Sequence, residues 1–240
     1  MNKVILAVMK INLKQIKLPW ILTIVIFCLA TGQILVYQIL ALNGYNQSYN
    51  SFISGGNALW LVVVMGAIFI PARHFLRIVN LGGKRENYFR GCFLTYVILA
   101  AFASLVNVVV FYTFDMYIKT SGLFYTDWFG GVVNLIEVFG WDVHGPALAF
   151  LQQFAFLFLT ACFTHLFCAM QGRWYGTALA VLLIAIICVF PPIEPLRNVM
   201  IGYFYIILYH VNAVIQIAAC VGIGLVSYAL SKPVIARKVF

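Results

Sequence analysis

The stretch CFLTYVILAAFASLVNVVVFYTF, residues 92–114, carries no charged side chain and decides the fold class of this chain. A helix needs about 20 consecutive apolar residues to cross roughly 30 Å of hydrocarbon, and this stretch is long enough. Because every backbone N–H and C=O must be paired inside lipid, such a run predicts a spanning helix. The run does not alternate polar and apolar residues, so it does not indicate a strand of an outer-membrane barrel.

Similar apolar runs occur on both sides of this one, and 64% of the whole chain is hydrophobic against 9% charged. We therefore predict an all-α integral membrane protein with six transmembrane helices inside residues 20–230. The predicted spans are 21–42, 57–76, 92–114, 146–170, 177–190 and 203–230.

The basic residues predict the orientation of these spans. If the N-terminus is cytoplasmic, 13 of the 15 Lys and Arg residues fall on the cytoplasmic side, and only Lys119 and Arg197 fall outside. Lys and Arg in short loops favour the cytoplasm, so we predict a multi-pass membrane protein whose N-terminus and tail (231–240) are cytoplasmic. The net charge of +9 suits anionic lipid headgroups, and no soluble domain is present to bind nucleic acid.

Two segments outside the spans are too apolar for free loops. In residues 1–19, apolar side chains alternate with Lys10, Lys14 and Lys17, which predicts an interfacial amphipathic elbow helix and excludes a secretory signal. A basic retention signal is the alternative. Residues 116–145 predict a short loop helix resting in the outer interface.

The fifth span is irregular. Residues 177–190 cover only about 21 Å at 1.5 Å per residue, which is short for a crossing. Prolines then stop the helix, because proline removes an N–H donor and clashes with the preceding turn. A broken, re-entrant element is predicted at 190–202, between the fifth and sixth helices. The outer gate is predicted at Pro191, Pro192, Glu194 and Pro195.

No acidic residue falls in the middle of a predicted span, which argues against a proton-coupled carrier. Uncharged polar side chains do occur in spans, where they either line a substrate pathway or hydrogen-bond between packed helices. Gly222 and Gly224 are predicted to permit close helix contact. The candidate pathway residues are Gln33, Asn107, Gln152, Gln153, His210, Asn212 and Gln216.

Signatures of enzymes are missing from the sequence. There is no Walker A sequence, no HExxH and no GxSxG, so we expect no catalytic residue, cofactor or metal in this chain. Cys162, His165 and Cys168 stand too far around a helix to share one ion easily. The cysteines are expected to be buried free thiols.

The most distinctive short segment, at 80–91, is NLGGKRENYFRG. Its glycines permit a sharp turn, and the residues that follow can form a short helix across the membrane face. Tyr88 and Phe89 would anchor that helix, while Arg85 and Glu86 would remain available to a cytosolic partner.

With this segment and the six spans, the chain resembles the membrane subunits of ABC-2-type (type V fold) ABC exporters. LGGKRENYF, residues 81–89, looks like the L-G-x-[ST]-R-x-x-[FY]-[FY] coupling segment of small bacterial members, with Lys84 departing from the usual Ser or Thr. The resemblance covers nearly the whole chain. It implies that an ATPase docks on the segment formed by Gly82, Gly83, Lys84, Arg85, Glu86, Asn87, Tyr88, Phe89 and Arg90.

Size and third-span sequence look most like the subunit of exporters for phenol-soluble modulins and related amphipathic peptides, with lantibiotic-immunity permeases as close neighbours. The resemblance implies a bacterial cell membrane as the location, and a homodimer or a dimer with a sister permease. It also implies two copies of a separate ATPase subunit that binds the ATP and Mg. An ion-gradient-driven secondary transporter and a non-transporting immunity or scaffold protein are the alternative functions.

Overall fold

The computed structural model of the protein describes residues 3–43, 51–74, 84–120 and 131–236. Within these residues the chain is helical apart from turns and two three-residue strands. Five helical rods are long and apolar enough to cross a membrane, and a bent pair of helices can be counted as a sixth. The predicted all-α class is therefore confirmed, and the rods have the length and composition of membrane-spanning helices.

The helices in chain order are α1 (Lys3–Gln15), α2 (Lys17–Leu42), α3 (Leu59–Phe69), α4 (Arg85–Val110), α5 (Met116–Thr120), α6 (Leu135–Val138), α7 (Pro146–Met170), α8 (Trp174–Val189), α9 (Glu194–Phe204) and α10 (Ala213–Ala236). Segments of π-helix extend three of them, α3 at Ile70–His74, α4 at Phe111–Asp115 and α9 at Tyr205–Tyr209. Strands β1 (Ser51–Ile53) and β2 (Gly131–Val133) pair in parallel, with Phe52 opposite Val132. The sequence did not predict these strands.

The core lies between α3, α4 and α7, with α1 and α10 packed against them. Small side chains let the helices approach closely, and Ala100, Ala103 and Ala161 are completely buried. By contrast, α8 lies at the edge, where only Gly176 of its residues is buried. We call the end of the bundle where α4 begins and α10 ends the basic end. The end that holds β1, β2 and the start of α10 is the loop end.

The prediction of a separate short helix after the glycine turn is wrong. Arg85–Val110 is one helix, so residues 85–90 form the first turns of a long rod. Gly91 does not break it, because a Cβ there would lie 2.5 Å from Cγ1 of Val8, and the bare backbone accepts α1 at close range.

The predicted elbow helix is present as α1, and one side of it packs against the bundle. Ile5 and Val8 are buried, and Asn12 donates from Nδ2 to Oγ1 of Thr95 on α4 over 3.4 Å. Because Val8 contacts Gly91 and Asn12 contacts Thr95 one turn later, α1 runs alongside α4.

Two predicted boundaries at the C-terminal part of the chain are also corrected. The sixth span was predicted to begin at residue 203, whereas the chain breaks at His210–Asn212 and α10 begins at Ala213. At its other end, α10 continues to Ala236, so residues 231–236 are helical and not a tail. Residues 237–240 lie outside the described part.

Residues 116–145 do not form one loop helix. Among the described residues of this stretch, α5, β2, α6 and a 3₁₀ turn at Trp141–His144 follow one another. Ile136 and Trp141 are buried against Val108 and Phe111 of the α4 rod, so this segment is part of the bundle.

Candidate functional site

The basic end exposes the charged side chains of the predicted ATPase-docking segment. Lys84 is exposed, and Arg90 bonds Glu86 over 2.6 Å one helical turn away, with both side chains more than half exposed. An exposed pair of this kind adds little stability, so these charges remain accessible for binding. Arg85 and Asn87 are half-buried beside them. The two glycines of the segment, Gly82 and Gly83, lie outside the described residues.

The two aromatic residues of the segment point into the bundle, contrary to the prediction that they anchor it to the membrane surface. Tyr88 is fully buried and donates its hydroxyl to the carbonyl oxygen of Ile70 over 3.1 Å. The Phe89 ring stacks on Tyr228 of α10 at a centroid distance of 4.2 Å. The reason is the continuous helix, which places residues 88, 92 and 96 on the face that packs against the core.

Next to this segment, α4 and α10 enclose a cavity of about 250 Å³, which we call the notch. Its lining residues are Arg85, Glu86, Phe89, Lys232 and Ile235. Sequence reasoning assigned Lys232 to the tail and missed its contribution here. The sequence could have indicated this only through the apolar residues Val234 and Ile235, which allow the last helix to continue past residue 230.

A buried aromatic cluster lies above the notch. The hydroxyl of Tyr228 donates to the carbonyl oxygen of Phe89. Farther into the bundle, the hydroxyl of Tyr96 and Nδ1 of His165 are 2.7 Å apart, and the His165 ring lies 5.2 Å from that of Tyr228. His165 of α7 therefore contacts both Tyr96 of α4 and Tyr228 of α10. Among the described residues, no group of three or more His, Cys, Asp or Glu side chains could hold a metal ion.

At the loop end, four of the seven predicted pathway residues come together. Gln152 donates from Nε2 to Oε1 of Gln216 over 2.5 Å, and Gln216 donates to the carbonyl oxygen of Ile207 over 2.8 Å. The backbone N–H of Asn212 donates to Nδ1 of His210 over 3.0 Å. Gln152 and His210 line a cavity of about 390 Å³.

Three side chains hold the chain between α9 and α10, and we call Trp141, His144 and Gln216 the latch. A helix end leaves carbonyl groups without partners in the helix, and these must be satisfied when they are removed from water. Trp141 Nε1 donates to the carbonyl of Leu208 over 3.0 Å, and His144 Nε2 to that of Val211 over 2.9 Å. The sequence predicted Gln216 as a polar candidate but gave no indication of Trp141 or His144.

The other three pathway candidates are separated. Gln33 is exposed and lines a cavity of about 480 Å³ between α2 and α3. Among the described residues its amide has no hydrogen-bond partner. Gln153 is fully buried, also without a hydrogen-bond partner in the described part, and Asn107 belongs to a polar network at the loop end.

That network ties the segment after β1 to the segment after β2. Asn134 donates from Nδ2 to Asp115 Oδ2 over 2.8 Å, to Ser54 Oγ over 3.1 Å and to Asn107 Oδ1 over 3.1 Å. The hydroxyl of Ser54 donates to the same carboxylate oxygen over 2.7 Å. All four side chains are almost completely buried, so the network fixes the two loops against the α4 rod.

Asp115 is a buried acidic residue near the end of the third rod, so the expectation that no acidic residue falls in the middle of a span is not affected. The third span was predicted to end at residue 114, but the helical rod continues to Thr120, and Asp115 lies inside it with no exposed surface. A carboxylate in this position is a functional candidate, because an ionisable group within a span is costly to keep.

The predicted break after the fifth span lies at the prolines. The rods Trp174–Val189 and Glu194–Tyr209 meet at 111°. Pro191, Pro192, Glu194 and Pro195 are all exposed, and Nη1 of Arg197 is 3.5 Å from the carbonyl oxygen of Pro191. Their role as a gate stays a prediction.

Comparisons of this chain with protein-family models, with curated proteins and with solved structures find no match. The basic end presents accessible cationic side chains for binding. At the loop end, side-chain hydrogen bonds stabilise the break between α9 and α10.

Proposed function

We propose that this chain is the membrane permease of an ATP-driven exporter of the ABC-2 type, which moves amphipathic peptides out of a bacterial cell. The basic end faces the cytoplasm, and a separate ATPase docks there on residues 84–90. ATP and Mg belong to that partner. This chain supplies the path across the membrane and performs no covalent chemistry.

The observation that carries the proposal is the construction of the first turns of α4. Lys84, Glu86 and Arg90 present accessible charges, while Tyr88 on the same turns is anchored in the core through its bond to Ile70. A partner that binds the charges therefore acts on a rod that reaches the loop end. Such a surface suits transmission of movement better than simple attachment to lipid.

The substrate class is supported by the cavity at Gln33. It is mainly apolar, with a few polar side chains, as expected for a site that accepts an amphipathic molecule. The exposed apolar surface of α8 suits membrane lipid and a second permease copy, whether identical or a sister chain.

The test is to purify the tagged chain from its own bacterial cells in mild detergent and to measure Mg-dependent ATP hydrolysis per mole of chain. The same preparations are reconstituted into vesicles to measure ATP-driven transport of a fluorescent amphipathic helical peptide. We expect Arg85→Glu to reduce both signals at least about tenfold, because charges at a docking site govern association. Lys14→Glu makes the same charge change on α1 and should leave both signals intact. If the wild-type chain carries no ATP hydrolysis, the proposal is wrong.

Asp115 favours a second candidate, a carrier driven by an ion gradient. A buried carboxylate held by Ser54 and Asn134 is the kind of group that a proton relay uses. For this function, peptide transport in the same vesicles would persist without ATP, collapse with the proton gradient and be abolished by Asp115→Asn.

A further inference from the structure

The cavity of about 390 Å³ at the loop end lies beside the break between α9 and α10, and we call it the loop-end pocket. The residues that decide its chemistry are Glu137, Phe139, His144, Gln152 and Tyr209. They come from α6 and the turns after it, from α7 and from the π-helical end of α9, so the pocket lies where the latch holds the chain. A cavity of this size can hold a ligand group when a few polar atoms converge on it.

Backbone carbonyls determine which atoms of Gln152 and His144 remain for a ligand. The carbonyl of Ile207 can only accept a hydrogen bond, so Gln216 turns Nε2 towards it and Oε1 towards Gln152. Gln152 must then donate from Nε2, which leaves its Oε1 as an acceptor. His144 likewise donates from Nε2 to the carbonyl of Val211, which leaves Nδ1 of the neutral ring as an acceptor.

These two acceptor atoms have no hydrogen-bond partner within the part of the chain that the structure describes. Gln152 is only 1% exposed, so bulk water does not reach its Oε1 either. A buried acceptor without a partner is costly, and a group that donates hydrogen bonds relieves that cost. The ligand that suits this part of the pocket is therefore a hydrogen-bond donor.

The charges and rings around the pocket favour a cationic donor. Glu137 lines the pocket and binds Lys119 through Oε2, so its Oε1 remains available for a second donor. Lys119 is not part of the lining, and it lies one helical turn after the acidic Asp115 on the same rod. Two acidic side chains thus share one lysine. The rings of Phe139 and Tyr209, with centroids 5.5 Å apart, also line the pocket, and an aromatic face attracts a cation.

We propose that the loop-end pocket binds a primary ammonium group, and that this group is a lysine side chain of the exported peptide. An ammonium has three N–H donors, which match the acceptors on Glu137, His144 and Gln152. The aliphatic stem of the lysine lies along Phe139 and Tyr209. This inference rests on the proposed function and deepens it, because it makes the substrate a cationic amphipathic peptide.

The bound ammonium does not compete with the bonds that hold the break. It uses Oε1 of Gln152 and Nδ1 of His144, whereas Nε2 of each side chain makes the existing bond. Binding therefore leaves the latch closed and stabilises that arrangement. We expect the peptide to slow hydrogen exchange between α9 and α10.

The test is the binding of a fluorescent helical peptide of leucine and lysine to the full-length tagged chain in mild detergent, measured by fluorescence anisotropy. The same peptide with acetylated lysines is compared, because acetylation removes the charge and two of the three N–H donors. We expect acetylation to weaken binding at least about tenfold, since hydrogen bonds to a charged group are the stronger ones. Glu137→Gln should weaken binding of the lysine peptide about as much and leave binding of the acetylated peptide unchanged.

Two further variants complete the test. Glu194→Gln makes the same change on α9, outside the pocket, and should not alter the binding of either peptide. Gln152→Met replaces the acceptor by an apolar side chain of similar size and should weaken binding of the lysine peptide about tenfold. Size-exclusion profiles show whether each variant remains folded.

The outcomes separate this inference from the proposed function. If the wild-type chain binds both peptides equally, or if Glu137→Gln binds the lysine peptide as tightly as Glu194→Gln does, the pocket assignment is wrong while the proposed function stands. If butylamine binds in a Glu137-dependent manner and the peptide does not, the pocket serves a free amine, and the assignment to a peptide is overturned. If the lysine peptide binds through Glu137 but the chain carries no ATP hydrolysis, the pocket stands and the proposed function fails.

Discussion

Replacing Asn134 by alanine should destabilise the protein more than any other single amide replacement in the loop-end network. Asn134 is completely buried and donates to Asp115, Ser54 and Asn107. Its Oδ1 also accepts the backbone N–H of Ile136 over 3.0 Å and so caps α6. The substitution removes all of these bonds at once.

The magnitude follows from the groups that lose their partners. Loss of the cap costs about 1 kcal/mol. The buried amide of Asn107 loses both of its bonds to Asn134, and an unsatisfied buried polar group costs about 1–3 kcal/mol. Asp115 keeps the hydroxyl of Ser54 as a donor. Because one side chain makes all the bonds, the contributions are not additive, and we expect a total loss of about 2–4 kcal/mol.

The assay is unfolding in mixed micelles by titration with sodium dodecyl sulfate, followed by tryptophan fluorescence. Asn198→Ala on the exposed face of α9 is the control and should change the free energy of unfolding by less than about 0.5 kcal/mol. Asn134→Asp retains an oxygen for the cap but places a second carboxylate beside Asp115, so it should be at least as destabilising as Asn134→Ala. If Asn134→Ala costs no more than Asn198→Ala, the network does not hold the two loops as described.

Two further substitutions test the packing of α1 and the latch. Gly91→Ala should lower the free energy of unfolding by about 1–3 kcal/mol in the same titration, because its Cβ would lie 2.5 Å from Val8. The control is Gly222→Ala on α10, which meets no atom within 4 Å and should be neutral or slightly stabilising. Gln216→Leu leaves the carbonyl of Ile207 without its amide donor, so hydrogen exchange between α9 and α10 should accelerate while exchange in α7 is unchanged. If hydrogen exchange at that break is unaltered, the latch does not hold the chain between α9 and α10.

The bounds of a helix were predictable where residues typical of helix ends flank the apolar run. Helix α7 has the predicted bounds, Pro146–Met170, because proline suits the first turn of a helix and a polar turn follows its last residue. Gly224 was also predicted correctly to permit close contact, since its Cβ would lie 3.2 Å from the Phe158 ring, while nothing approaches Gly222.

The boundaries that depend on tertiary contacts were not predictable. No proline or glycine marks the break at His210–Asn212, and the break persists because Trp141, His144 and Gln216 satisfy the carbonyls it exposes. Gly91 shows the reverse case. A glycine at this position suggested the end of a short helix. The helix continues through it, because Val8 of α1 fills the space that the missing side chain leaves.

The polar residues within the predicted spans differ in their hydrogen bonds. Gln216 donates to the carbonyl of Ile207 at a helix end, and Gln152 in turn donates to the side chain of Gln216. Within the described part, Gln33 differs, because it lines a large cavity without a hydrogen-bond partner. An exposed amide beside an apolar cavity gains most from a ligand that both donates and accepts hydrogen bonds, as a peptide backbone does. The bonds of Gln216 are those expected of helix packing, and a role in a substrate pathway stays a prediction, for which the cavity at Gln33 is the strongest support.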